Sequence, residues 1–265
     1  MTDVVEAKSC CAVAYESEIA RWLMGDSFHP GGLGLTERLG ERLGLAEGMR
    51  LLDVASGRGT SALFLAERFG CQVTGVDLGA SNVEAARAEA RTRGLDHLAR
   101  FEPADAERLP FENGAFDAAI CECAFCLFLD KAAAAREIAR VLKPGGRLGL
   151  TDLVRGDAPP PGLDGLMAWV ACIADARPAR DYVDTLSGAG IEAGRVDRCD
   201  EALAELVDRA RKQLFAAEVL TGLGKLAWPG FDFRAANDLA RTAQAAIASG
   251  QLGYVLIAAS REPSD

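Results

Sequence analysis

Histidine is scarce in this sequence of 265 residues, which contains only two, His29 and His97. A structural zinc site usually combines two similar pairs of cysteine or histidine ligands. The chain has one CxCxxC run, at 121–126, but no second CxxC pair that could complete such a site. The shortage of ligands argues against a zinc-stabilised fold. The hydrophobic content of 49% supplies a core of normal size without a metal.

Basic residues are outnumbered by acidic ones. The sequence has 29 lysines and arginines against 39 aspartates and glutamates, which gives a formal net charge of −10. It shows no local cluster of lysine and arginine. The phosphates of a nucleic acid would be repelled by such a chain. We therefore expect no nucleic-acid partner.

Long apolar runs are also missing. No stretch of about 18 apolar residues is present, and residues 1–8 show no basic segment followed by an apolar one. We therefore expect a cytoplasmic protein that does not span a membrane. In that compartment the eight cysteines should be reduced thiols, most of them small buried side chains.

What the sequence does contain is a regular alternation of apolar runs and helical segments from residue 49 onward. This alternation predicts an α/β fold with a doubly wound, mostly parallel sheet, preceded by N-terminal helices and followed by a C-terminal helical insertion. The predicted strands are 49–55, 72–77, 98–103, 116–121 and 147–152, the helices are 60–69, 81–93 and 131–141, and 143–146 is a turn.

The same pattern predicts the division of the chain. Residues 1–46 are expected to form an N-terminal helical lid segment, in which Thr36 is the candidate N-cap of a helix over 36–43. Residues 47–265 are expected to form the main domain. It has a binding core at 47–155, substrate-side elements at 156–250 and a last strand at 251–261.

A glycine-containing loop joins the first predicted strand to the first predicted helix of the alternating region. It reads Asp53-Val-Ala-Ser-Gly57-Arg-Gly59. The glycines allow a tight turn and the close approach of a ligand to the backbone, and the following helix directs its N-terminus at that ligand. A tight turn without a ligand is the simpler alternative. A nicotinamide dehydrogenase is another, with Ala62 at its third glycine position.

Two acidic residues follow the next two strands. Asp77 ends the second strand, where a carboxylate can accept hydrogen bonds from both hydroxyls of a ribose. Asp105 follows the third strand, where a carboxylate can accept a hydrogen bond from an exocyclic adenine amine. A turn or cap role is the alternative for Asp105. Together with the glycine loop, the two residues indicate a nucleoside-containing ligand.

These features resemble class I S-adenosylmethionine-dependent methyltransferases, which have a Rossmann-like fold. The resemblance covers roughly residues 45–155, and it departs from the family pattern at Ala104 and at Ala55, where the loop usually begins with glycine. It implies that the loop holds the methionine part of S-adenosylmethionine, Asp77 the ribose and Asp105 the adenine. The expected cofactor-binding residues are Asp53, Ala55, Ser56, Gly57, Gly59, Thr60, Asp77, Leu78, Asn82, Asp105, Ala106 and Glu122.

Three cysteines follow the fourth predicted strand, in the order Cys121, Cys123, Cys126. In a parallel sheet, ligands lie at the carboxyl edge, so these thiols are expected near the transferred methyl group. The segment 121–131 resembles arsenite methyltransferases. That resemblance implies Cys123 and Cys172 as arsenic ligands, with Cys10, Cys11 or Cys126 as a third. It departs from the family at Cys126, where asparagine is usual.

Trivalent arsenic held by thiolates keeps a lone pair that can attack the sulfonium methyl group without a general base, so that proximity and alignment are the enzyme's task. A thiol reductant is a possible partner in this reaction. Two alternatives stay open: a methyltransferase for an organic small molecule or thiol, with non-catalytic cysteines, and a non-enzymatic module that senses a soft metal or the cofactor.

Overall fold

The computed structural model describes residues 29–158, 160–163, 173 and 175–263. These residues form one seven-stranded sheet with helices on its faces. The strands are β1 (Arg50–Val54), β2 (Gln72–Asp77), β3 (Ala99–Pro103), β4 (Phe116–Glu122), β5 (Leu142–Arg155), β6 (Ile191–Arg198) and β7 (Leu252–Arg261). The helices are α1 (Gly32–Arg42), α2 (Thr60–Phe69), α3 (Ala80–Thr92), α4 (Lys131–Val141), α5 (Ala179–Ser187), α6 (Asp200–Gly222) and α7 (Phe233–Ala248).

The strand order across the sheet is β3-β2-β1-β4-β5-β7-β6. Strands β1 to β5 run parallel, and β7 pairs antiparallel with β5 and β6. The chain leaves β1 towards β2 on one side and returns to β4 on the other, so the strand order reverses between β1 and β4. In open α/β sheets, ligands bind at the carboxyl ends of the strands at such a reversal. The α/β prediction is confirmed.

The central strands are buried on both faces, which explains their continuous apolar runs. In β1 all residues from Leu51 to Val54 are buried, including Asp53, which is 3% exposed. A carboxylate in the middle of such a strand is expensive to bury. Its presence marks the end of β1 as a place where a function outweighs stability.

The segment from Gly32 to Arg42 packs as α1 against α2, β5 and β7. The prediction that Thr36 caps a helix is wrong, because the helix begins at Gly32 and Thr36 lies in its second turn. Thr36 is fully buried, and its hydroxyl lies 3.2 Å from both carboxylate oxygens of Glu122. Threonine is a residue type that often caps helices, but here its hydroxyl makes a tertiary contact instead.

The predicted turn at 143–146 lies inside β5. Leu142 pairs with Phe116 and Arg147 pairs with Ala118, so the intervening residues form an irregularity between two paired positions. Gly145 has a φ of 74°, which only glycine adopts readily. Pairing on both sides of the irregularity keeps the segment in the sheet.

Helices α6 and α7 pack against each other and against β7, and they form the predicted C-terminal insertion between β6 and β7. Residues 1–28 of the predicted N-terminal segment, and residues 159, 164–172 and 174 of the predicted substrate-side elements, lie outside the described residues. In the described part of the chain, no helix combines the length and the apolar character needed to cross a bilayer.

Candidate functional site

The loop between β1 and α2 is bound to the end of β2. The Ser56 N–H donates to the Val76 carbonyl at 2.8 Å, and the Gly57 N–H donates to Asp77 Oδ2, also at 2.8 Å. The loop adopts left-handed conformations at Ala55, Gly57 and Gly59, with φ values of 61°, 53° and 79°. Of the three, only Ala55 is a non-glycine residue and therefore strained, and strain of this kind is common at functional sites.

The two loop glycines have different surroundings. A Cβ added at Gly57 would meet no heavy atom within 4 Å, so this position faces open space. A Cβ added at Gly59 would lie 2.6 Å from Cζ of Phe101, inside the packed core. Gly57 therefore leaves room for a ligand against the backbone, whereas Gly59 allows α2 to pack closely on the sheet.

Asp77 connects three elements. Besides Gly57, its carboxylate accepts hydrogen bonds from the Gly79 N–H at 2.8 Å and from Asn82 Nδ2 at 3.2 Å. Asn82, an expected cofactor residue, is thus placed against Asp77 at the start of α3. These contacts fix the orientation of the Asp77 carboxylate.

Asp53 and Ser56 each bury a polar atom without a partner. Neither Asp53 Oδ2 nor Ser56 Oγ has a hydrogen-bond partner among the described residues. Burial raises the pKa of Asp53 well above its usual value, and the nearby carboxylates of Glu122 and Asp77 raise it further. Three acidic side chains therefore share one region, and a bound cation would relieve their mutual repulsion.

Glu122 ends β4 and belongs to a buried polar network. Its side chain is 4% exposed, its oxygens lie 3.2 Å from Thr36 Oγ1, and its Oε2 lies 3.6 Å from His29 Nε2. The same His29 nitrogen lies 3.3 Å from Ser61 Oγ and from Thr36 Oγ1. Four elements meet here: the segment before α1, α1 itself, the first turn of α2 and the end of β4.

This network contains the functional candidates that sequence reasoning missed. The sequence places His29 in a loop before Pro30-Gly31-Gly32, as a capped loop residue or as part of a lid over the cofactor, and the structure buries it to 7% exposure. Ser61 gave no signal because it lies one residue after the recognised loop. The rarity of histidine in the chain was the one available hint.

The loop after β3 carries Asp105 and Ala106. Asp105 Oδ1 accepts a hydrogen bond from the Glu107 N–H at 3.0 Å, and Glu107 in turn accepts hydrogen bonds from the N–H groups of Leu129 and Asp130. The loop is thereby fixed to the segment before α4. Leu78, which directly follows β2, is 47% exposed.

The cysteines after β4 differ in their burial. Cys121 and Cys126 are fully enclosed, and the Cys126 N–H donates to Asp152 Oδ2 at 2.8 Å. Cys123 is half-buried and has a φ of 54°, in the left-handed region. Cys10, Cys11 and Cys172 lie outside the described residues. Among the residues that are described, no three His, Cys, Asp or Glu side chains are grouped to hold a metal ion.

Comparison with known proteins identifies the central part of the chain. Residues 52–150 match the family described as "Methyltransferase domain". The central part of this chain is therefore similar to methyltransferase domains, a similarity that supports S-adenosylmethionine as its cofactor. The matched residues include the end of β1, all of β2 to β4, the glycine loop, Asp77, Asp105 and Glu122.

Two curated relatives and one solved structure illustrate the similarity. "Methyltransferase GfsG" from Streptomyces halstedii is 37% identical over 129 residues, which cover 49% of this chain and 46% of that protein. "27-O-demethylrifamycin SV methyltransferase" from Amycolatopsis mediterranei is 37% identical over 125 residues, 47% of this chain and 46% of that protein. The chain thus spans about half the length of the curated relatives it matches.

The crystal structure of the [4+2]-cyclase SpnF superposes with a TM-score of 0.71 and 29% identity, covering 87% of this chain and 81% of that one. The likeness extends well beyond residues 52–150. It includes a protein described as a cyclase, so the fold alone does not fix the reaction.

Proposed function

We propose that this protein transfers a methyl group from S-adenosylmethionine to a small organic molecule. The observation that carries the proposal is the partnerless Oδ2 of buried Asp53, which lies in a cluster with Glu122 and Asp77. The cofactor carries an ammonium group and a sulfonium centre, and both positive charges suit a cluster of carboxylates. When bound, it supplies an electrophilic methyl group.

Each part of the site has a proposed share in holding the cofactor. Asp53 and Glu122 accept hydrogen bonds from the ammonium group, and the open space at Gly57 admits the methionine chain against the backbone. Asp77 accepts hydrogen bonds from the ribose hydroxyls, and Asp105 accepts one from the adenine amine. Supporting contacts are assigned to Ala55, Ser56, Gly59, Thr60, Leu78, Asn82 and Ala106.

We also propose roles for the segments outside the binding core: one segment covers the cofactor, and another forms the side of the site that binds the methyl acceptor. The segment 1–46 covers the cofactor, an assignment supported by the contact of Thr36 in α1 with Glu122. The acceptor side is formed by elements in 156–250. Two observations favour an organic acceptor. The relative from Amycolatopsis mediterranei is named as a methyltransferase of 27-O-demethylrifamycin SV, an organic compound, and Cys121 and Cys126 are enclosed in the core.

A metalloid acceptor is the second candidate, favoured by one observation. Cys123 lies at the carboxyl end of β4, half-buried, in a left-handed conformation that sets the direction of its side chain. In this version of the function, Cys123 and Cys172 hold trivalent arsenic as substrate, with Cys126, Cys10 or Cys11 as a third ligand. A small thiol would serve as reductant.

Two measurements on the purified full chain test the proposal. The first is calorimetric binding of S-adenosylhomocysteine, where failure to bind would overturn the proposed function. The second is transfer of a labelled methyl group to a panel of small hydroxyl, amine and thiol compounds, and separately to arsenite with a thiol. Arsenic-dependent transfer that is lost in Cys123→Ser would select the metalloid acceptor. Transfer to an organic compound that survives Cys123→Ser would select the first proposal.

A further inference from the structure

His29 belongs to the buried network around Glu122, but the cofactor contacts proposed above give it no role. Its Nε2 faces Ser61 Oγ, Thr36 Oγ1 and Glu122 Oε2 at 3.3, 3.3 and 3.6 Å. Its Nδ1 lies 3.2 Å from the carbonyl oxygen of Pro30. A buried imidazole between an acidic cluster and the start of a helix has the means to contact a ligand at that place.

The amino-acid end of the cofactor carries two opposite charges, and each of them needs binding partners. That end is a zwitterion, and the acidic side chains of Asp53 and Glu122 can satisfy only its ammonium group. Its carboxylate needs hydrogen-bond donors. The first turn of α2, which begins at Thr60, directs backbone N–H groups and positive dipole towards this region. Ser56, in the loop before that turn, buries an Oγ that has no hydrogen-bond partner among the described residues.

Of the four side chains in the network, only the imidazole of His29 can carry a positive charge. It touches Ser61 in the first turn of α2 and also stands beside Glu122. A zwitterion held with its ammonium group at Glu122 and Asp53 would place its carboxylate next to these groups. A protonated imidazole donates from both ring nitrogens, so contact with Pro30 leaves Nε2 as a donor.

We propose that His29 is a cofactor-binding residue that donates a hydrogen bond to the α-carboxylate of S-adenosylmethionine. This inference rests on the proposed function. It also gives the segment before α1 a chemical role, because that segment then completes the cofactor site. A rival explanation is that His29 only supports Glu122, in which case its effect would pass through the ammonium contact.

Two ligands separate these explanations. One is S-adenosylhomocysteine, and the other is its amine analogue, which keeps the ammonium group and lacks the carboxylate. Their dissociation constants are measured by calorimetry for wild type, His29→Asn, His29→Gln and Glu122→Gln. His97→Asn serves as the matched control, because His97 is exposed in the loop before β3.

We expect His29→Asn to weaken S-adenosylhomocysteine about tenfold or more, the scale of one charge-assisted hydrogen bond, and to leave the amine analogue nearly unchanged. His29→Gln should restore part of the affinity, since its amide nitrogen reaches the position of Nε2. Glu122→Gln should weaken both ligands by similar factors. Equal weakening of both ligands in His29→Asn, or no weakening, would overturn the inference.

A second readout covers the case in which the His29 variants fold poorly. With two histidines in the chain, the imidazole NMR signals of the wild-type protein are assigned by comparison with His97→Asn. The His29 signal should shift on adding S-adenosylhomocysteine and shift much less with the amine analogue. Equal shifts contradict the inference. If wild type binds neither ligand, the proposed function is wrong and the inference falls with it.

Discussion

The carboxylate of Asp77 accepts a hydrogen bond from the backbone N–H of Gly57 at 2.8 Å, which joins the end of β2 to the loop after β1. The residue proposed to hold the ribose thus also shapes the loop proposed to hold the methionine. Two parts of one ligand are served by a single side chain. This makes Asp77 the position where the site is most sensitive to substitution.

We expect Asp77→Ala to reduce the affinity for S-adenosylhomocysteine by roughly a hundredfold, because it removes the charge-assisted contacts and releases the loop. Asp77→Asn keeps one acceptor oxygen and should lose about tenfold. Asp117→Asn is the matched control, since Asp117 accepts a hydrogen bond from the Arg50 N–H at the opposite end of β1. Calorimetry measures all three. A loss in the control equal to that in Asp77→Asn would contradict the assignment.

The loop glycines give a second prediction. Gly59→Ala combines a left-handed backbone with a contact of 2.6 Å to Phe101, so it should destabilise the protein by about 2–4 kcal/mol. Gly57→Ala has the same kind of backbone but open space, so only the conformational cost of about 1 kcal/mol applies. Urea unfolding without ligand measures both.

The order of the two variants should reverse when the loss of cofactor affinity is compared with the loss of stability. Because Gly57 faces the proposed cofactor space, Gly57→Ala should lose cofactor affinity out of proportion to its small effect on stability. Binding at the wild-type level in Gly57→Ala would show that the open space at this glycine is not used. Equal unfolding free energies for the two variants would contradict the packing difference between the two positions.

The site could be predicted in part from sequence because its main residues follow directly from strand ends. Asp53 and Asp77 come at the ends of buried apolar runs, and parallel strands bring their carboxyl ends to one edge. The local pattern therefore contains enough information to place these two carboxylates. The structure brings Glu122 to the same edge, as the end of β4 requires.

The other contacts of the site could not be predicted, because they depend on how segments that are distant in the sequence pack against each other. Thr36 contacts Glu122 across 86 positions of the chain, and no periodicity in α1 reveals which of its faces meets the sheet there. The burial of His29 follows from the same docking. The predicted turn at 143–146 appears in the structure as an irregularity within β5, because Leu142 and Arg147 on either side of it pair with β4.

Asp53 leads to a prediction about pH. Its pKa in the folded protein is raised well above the usual value, chiefly by burial and then by Glu122 and Asp77. Between the unfolded and the folded pKa the folded state binds the extra proton, so stability falls as pH rises through that window and stays low above it. Asp53→Asn removes this ionisation. The ligand-free variant should therefore melt higher than wild type, with a gap that grows with pH.

Thermal unfolding between pH 5 and pH 8 measures this gap, and a gain of about 1 kcal/mol corresponds to roughly 2–4 °C in a protein of this size. Saturating S-adenosylhomocysteine should narrow or invert the gap, because wild type retains the carboxylate for the ammonium group. In the wild type the pKa of the Asp117 carboxylate is lowered, so Asp117→Asn should not share the gain in Tm. A gap that is constant with pH would contradict the role given to Asp53.

The cysteines after β4 yield a prediction that can be read by mass spectrometry. Burial raises the pKa of Cys71 to about 11 and raises the pKa of the Cys121 thiol well above its usual value, so both should resist alkylation. Cys126 is fully enclosed, whereas Cys123 is half-buried. At pH 8, iodoacetamide should therefore modify Cys123 first among these four.

Bound S-adenosylhomocysteine should slow the modification of Cys123, since β4 ends at the edge where the methyl group is expected. Unfolding in urea should abolish the difference among the four thiols, which separates protection by the fold from intrinsic reactivity. Cys123→Ser should leave the labelling of the other three unchanged. If Cys123 is modified no faster than Cys121, its sulfur does not face the site, and the metalloid acceptor loses the observation that favours it.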